Sequence, residues 1–142
     1  MFRILKFTLF LALMIPFLAA CGGNRNSTQA EFDDSPIVRF VSPKDGATVS
    51  SPVTVRMNAI NYTIEEAGEV RENSGHFHIM VNQDCVQEGE IIPGTEGYNH
   101  YGKAQLETEL ELEPGEHKLC LQVGDGLHAA TTLIQEITIT VE

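Results

Sequence analysis

After residue 36 the chain is organised by short runs of alternating apolar and polar positions. Over residues 53–59, Val53, Val55, Met57 and Ala59 share one side, and Thr54, Arg56 and Asn58 share the other. That is the period of a strand with one buried face. Similar runs occur at residues 37–41, 76–81 and 135–141, the last carrying Ile137, Ile139 and Val141. In the segment from Gln105, Leu106, Leu110 and Leu112 lie among Glu107, Glu109 and Glu111. Pro114-Gly115 then has the order favoured in a type II turn, and Leu119, Leu121 and Val123 follow. This pattern predicts a hairpin of residues 105–112 with residues 117–123. No run has the longer period of an amphipathic helix. Seven or so strands in about 107 residues predict an all-β, immunoglobulin-like antiparallel β-sandwich over residues 36–142. A small β-barrel is the alternative.

The N-terminal segment has a different pattern. Arg3 and Lys6 precede an apolar run from Phe7 to Leu18, which is too short to span a bilayer and suited to the core of an export signal. Leu18-Ala19-Ala20-Cys21 resembles the lipobox of bacterial lipoproteins. Residues 1–20 are therefore expected to be a signal peptide, with Cys21 becoming a lipidated N-terminus. Residues 21–35 lack periodic apolar positions and read as a flexible tether. The expected location is the bacterial cell envelope, lipid-anchored. Gly22 after the cysteine points to the outer membrane, facing the periplasm, in a diderm host.

Charge and cysteine content narrow the partners. Loss of Arg3 and Lys6 would leave 7 basic residues against 20 acidic ones, a net charge near −13. Such a surface disfavours nucleic acid and anionic lipid and is compatible with cations. With Cys21 lipidated, Cys85 and Cys120 remain, and an even pair in an oxidising compartment predicts a disulfide.

Three stretches carry a family resemblance: the opening "VSPKDGATVSSPVTV", "SGHFHIMVN", and "NHYGKAQLETELELEPGEHKLCLQVGDGLH". Together they resemble a bacterial family, domain of unknown function 4399. The matching positions are His76, His78, His100, Gly102, Gln105, Glu107, His117 and His128. Phe77 stands where many relatives have a further histidine, and Lys103-Ala104 replaces a glycine pair. The resemblance implies a fold and a set of positions and carries no activity with it.

The histidines are the candidate chemistry. Alternation sends Phe77, Ile79 and Val81 to the core and His76, His78 and Met80 to the opposite face. The two histidine Cβ atoms would lie roughly 6.5 Å apart, within reach of a shared ion. If Cys85 bonds Cys120, residues 76–82 run antiparallel to residues 117–124, which brings His128 beside His76 and His78. The expected hairpin from Gln105 brings His100 to the same end and leaves His117 at the other. The candidate metal ligands are therefore His76, His78, His100, His128 and Met80, with Gln105 and Glu107 in support. Imidazole suits zinc, copper and nickel, and a thioether favours copper, so copper or zinc is the expected ion. No Gly-x-Ser-x-Gly elbow is present and no activated free cysteine is implied. The chain is thus expected to be a binding module and not an enzyme. The alternative is a metal-free Ig-like scaffold contacting another envelope protein.

Overall fold

Nine strands and no helix make up residues 33–142, the part of the chain that the computed structural model describes. The expected signal peptide, Cys21 and most of the tether lie outside these residues. The strands are β1 (Ile37–Ser42), β2 (Thr48–Val49), β3 (Val53–Ile60), β4 (Thr63–Ile64), β5 (Ser74–Val81), β6 (Tyr98–Tyr101), β7 (Glu107–Leu110), β8 (Gly115–Gly124) and β9 (Ala130–Val141).

They form two sheets. One has the order β1-β3-β7, and the other β2-β9-β8-β5-β4, with β6 also pairing β5. β4 runs parallel to β5 at Ser74 and Gly75, and β6 runs antiparallel to it from Phe77 to Met80. Both therefore lie on the edge of β5 away from β8. The architecture is an immunoglobulin-like β-sandwich. The sheets share no strand, so the alternative of a closed barrel does not apply.

Alternation explains the core between the sheets. Val38 and Phe40 from β1, Val53, Val55 and Met57 from β3, and Leu110 from β7 meet side chains of the larger sheet. That sheet contributes Phe77 and Ile79 from β5, Leu119, Leu121 and Val123 from β8, and Ile137, Ile139 and Val141 from β9. Each such aliphatic or aromatic side chain stabilises the fold by about 1.5–3 kcal/mol when fully buried.

The expected hairpin is corrected. β7 pairs with β3 in the small sheet, Val53 opposite Leu110 and Arg56 opposite Glu107. β8 lies in the other sheet between β5 and β9. The Pro114-Gly115 segment thus carries the chain from one sheet to the other. A turn and alternating flanks suit both arrangements, and pairing with β3 lets Leu110 enter the inter-sheet core.

β5 is buried on both faces; of its residues Ser74–Val81, only Val81 is partly exposed. Its outer face is roofed by the segment that follows. Cys85 is bonded to Cys120 on β8, with Cα atoms 5.7 Å apart. Cys85, Val86, Ile92 and Tyr98 pack there with Met80, Cys120 and Ala130 as a second apolar cluster. Gln122, buried beneath the same roof, accepts a hydrogen bond from Val86 N and donates to Val86 O and Thr131 O. One amide side chain thereby satisfies three backbone groups that would otherwise cost roughly 1–3 kcal/mol each.

Candidate metal centre

Four of the five histidines meet at the end of the larger sheet where β5 begins. His76 lies opposite Gly124 of β8, and His78 lies between Gln122 of β8 and His100 of β6. His128 comes from the β8–β9 connection. The six ring-centroid separations within the group run from 4.8 to 5.7 Å. His117 stands apart. Its Nε2–H donates to Glu113 O at 2.8 Å, and its Nδ1 accepts from Asn82 Nδ2 at 3.0 Å.

Strand pairing alone places three of these rings, whereas His128 depends on a turn. Asp125 Oδ1 accepts from Leu127 N at 2.8 Å and from Ala129 N at 2.9 Å, and His128 N donates to Asp125 O. His128 itself has a φ of 72°, a left-handed conformation that non-glycine residues adopt sparingly. Neighbouring loops are laced to this turn and to the end of β6. Ile92 N donates to His128 O, Gly68 N to Gly126 O, and Ala67 N to Gly102 O.

Two glycines make room for the rings. A Cβ on Gly124 would lie 3.0 Å from His78 Nε2, and one on Gly102 would lie 2.3 Å from His100 Nε2. The imidazoles therefore occupy space that any other residue at these positions would contest.

Burial keeps His76 and His78 neutral at pH 7. Burial pushes His76 down to about 4; a charge on His100 or His128 would add to the shift, and Asp125 opposes it. Burial pushes His78 down to about 3, and the three neighbouring histidines add to the shift. His100 is also lowered, by burial first and then by His128. Neutral imidazole is the form that ligates metals, so a proton need not be displaced first.

The hydrogen bonding of the buried pair is incomplete. His76 Nε2 and His78 Nε2 are 3.0 Å apart. With both rings neutral, one donates and the other accepts. The donor ring is then left with a bare lone pair at Nδ1, and the acceptor ring with an N–H there. Both Nδ1 atoms are buried without a hydrogen-bond partner among the described residues. His100 and His128 make a second Nε2–Nε2 contact at 3.2 Å. A cluster of imidazoles with unused lone pairs has the chemistry of a borderline transition-metal site.

One nitrogen from each of His76, His100 and His128 lies within 4.8 Å of the others. Their ring centroids form a nearly equilateral triangle of 4.8, 4.9 and 4.9 Å. Imidazoles holding one ion at about 2.0–2.1 Å in tetrahedral directions would have centroids roughly 5 Å apart.

The remaining candidate positions are placed differently. Met80 lies two residues beyond His78, opposite Cys120, and packs in the apolar cluster beside the disulfide. Gln105 Oε1 accepts from Lys103 N. Glu107 is exposed on the small sheet and ion-paired with Arg56. Asp125 and Gln122 were not among the expected site residues. Gly-Asp-Gly reads as a chain break, and a glutamine on an alternating strand carries no local mark of its role. A surface groove of about 660 Å³, lined in part by Asn82, Glu96 and Leu112, includes none of the four clustered histidines.

Fold and site define an immunoglobulin-like module with a partly buried histidine cluster at one pole. The chain belongs to the family described as Domain of unknown function (DUF4399), which residues 55–142 match. No curated protein matches it. Among solved structures it is similar to the endo-beta-1,4-mannanase from Thermotoga petrophila, at 22% identity with a TM-score of 0.46, over 80% of this chain and 21% of that one. It is also similar to the fibronectin(III)-like modules of Clostridium thermocellum CbhA, at 16% identity with a TM-score of 0.45, over 75% of this chain and 97% of that one.

Proposed function

We propose that the protein is a non-catalytic binding module of the bacterial cell envelope whose ligand is a transition-metal ion, zinc or copper, held by the histidine cluster. The observation that carries this reading is the convergence of four imidazoles, two of which, His76 and His78, have buried Nδ1 atoms without partners among the described residues. The ligand set is nitrogen throughout. The placement of Met80 in an apolar cluster removes the reason to prefer copper over zinc.

The lipobox-like Leu18-Ala19-Ala20-Cys21 supports a lipid-tethered location in the envelope, as does the Cys85–Cys120 disulfide, a bond favoured in oxidising compartments. A metal-free scaffold is the second reading. Exposed Ile91 and Leu127, which lie on loops beside His128, favour a protein contact there.

Thermal unfolding with and without metal separates the two readings. An ion bound only by the folded state raises stability by about 2.7 kcal/mol at one hundred times its dissociation constant. Zinc or copper should therefore raise the melting temperature of the wild type and not that of the His76→Gln, His128→Gln double variant. An equal response from both proteins contradicts the metal reading.

A further inference from the structure

We infer that the four histidines are not equivalent: His76, His100 and His128 hold the ion, His78 positions His76, and the fourth coordination position is open to one small exogenous ligand. This rests on the metal reading above and specifies which chemistry the site can reach.

Three observations divide the set. His76, His100 and His128 form the compact triangle, and the His78 ring, 4.8 Å from His76 and 5.1 Å from His100, is set off by its 5.7 Å separation from His128. His78 Nε2 contacts His76 Nε2 at 3.0 Å, so His76 would offer the ion its other ring nitrogen, the unpartnered Nδ1, with His78 as the partner that orients the ring. Gly124 of the neighbouring strand lies against this same Nε2 of His78, where a Cβ would be 3.0 Å away, so little room is left there for a further partner.

The triangle is closed on one side only. His76 is fully buried, His128 half-buried and His100 exposed. An ion on the triangle would therefore meet protein on the His76 side and solvent on the His100 side. Three protein ligands with one open position is the arrangement of zinc sites that exchange a ligand, whereas purely structural sites are closed by four. The chemical class of the exogenous ligand is a single small donor: water, hydroxide or a monodentate anion. When an anion enters, water leaves and the oxidation state of the metal is unchanged.

Cobalt(II), which reports its coordination through visible absorption, is the probe. The full chain is loaded with one equivalent of cobalt(II) and titrated with sodium azide. The inference predicts a saturable change in the visible bands as azide replaces water. It also predicts that His78→Gln, which keeps a hydrogen-bonding side chain, retains the azide-responsive spectrum with cobalt affinity lowered by roughly 10- to 100-fold. His76→Gln and His128→Gln should lose the spectrum. Cobalt binding by the wild type without any azide response would overturn the open position and leave the metal reading standing. Loss of the spectrum in a folded His78→Gln protein would overturn the division of roles. Absence of cobalt, zinc and copper binding by the wild type would overturn both this inference and the reading beneath it.

Discussion

His78 and His100 face each other as Cα partners across the β5–β6 pair, with their rings 5.1 Å apart and tilted by 33°. This pairing brings the exposed histidine of β6 to a buried strand. It also makes the pole a junction of separate chain segments, since His76 and His78 share β5 while His100 and His128 arrive from β6 and from the turn after β8.

Gly102→Ala tests whether ring placement controls the site. The added methyl would meet His100 Nε2 and Cε1 at 2.3 and 2.4 Å, so the ring must move. His100 is exposed and free to swing outward, so the loss of stability should stay within about 1 kcal/mol, below the usual cost of core overpacking. Metal affinity should fall by roughly 10- to 100-fold, the range seen when a ligand is misoriented. Calorimetric titration and urea unfolding of the same variant check both halves, and unchanged affinity counts against a role for His100.

Reduction of Cys85–Cys120 should act on stability and site together. The bond closes a long loop, with a sequence separation of 35, and on the chain-entropy model contributes roughly 3–4 kcal/mol. The far end of that loop also supports the histidine turn, since Ile92 N bonds His128 O and Ala130 N bonds Glu90 O. Urea unfolding of wild type and a Cys85→Ser, Cys120→Ser variant should differ by that amount, with weaker metal binding in the variant. A difference below about 1 kcal/mol would contradict the pinning role, being a small fraction of what the loop-closure model expects.

The buried pair sets a pH dependence. His76 at about 4 and His78 at about 3 lie below the usual imidazole value of 6.5. The unfolded chain therefore binds more protons than the native one between those values and pH 6.5, and stability rises with pH across that window. The contribution is complete above about pH 6.5 and is lost as pH falls towards 4 and then 3. Glu65 and Asp84, both lowered, act in the same direction at the acid end. Metal-free wild type should lose stability steadily from pH 7 to pH 4, and His78→Gln should show a shallower slope. Equal slopes would show that the two proteins share the same proton uptake and that His78 is not buried neutral.

Much of the fold can be read from alternation, because the faces of β3, β5 and β9 follow directly from which residues can be buried. The pairing of β7 cannot. Its alternating glutamates and the following Pro114-Gly115 suit either sheet, and the choice depends on long-range packing of Leu110 with the core. The four residues of β6, Tyr-Asn-His-Tyr, sit among glycines and a proline and carry no apolar alternation of their own. The histidine pole was therefore expected through a hairpin that does not form, whereas His100 arrives by pairing directly with β5. Face and position along a strand are also separate quantities. Met80 shares a face with the histidines, but it lies towards the disulfide, while they lie towards Gly124. Asp125 and Gln122 act through backbone groups of distant segments, which no local spacing reveals.

The central claim is tested most directly by calorimetric titration of zinc into the metal-free full chain at pH 7, wild type beside the His76→Gln, His128→Gln double variant. The account predicts one equivalent bound with a dissociation constant in the micromolar range or tighter, about −8 kcal/mol or more favourable, and no saturable binding by a folded double variant. Failure of the wild type to bind, or equal binding by the double variant, would contradict it.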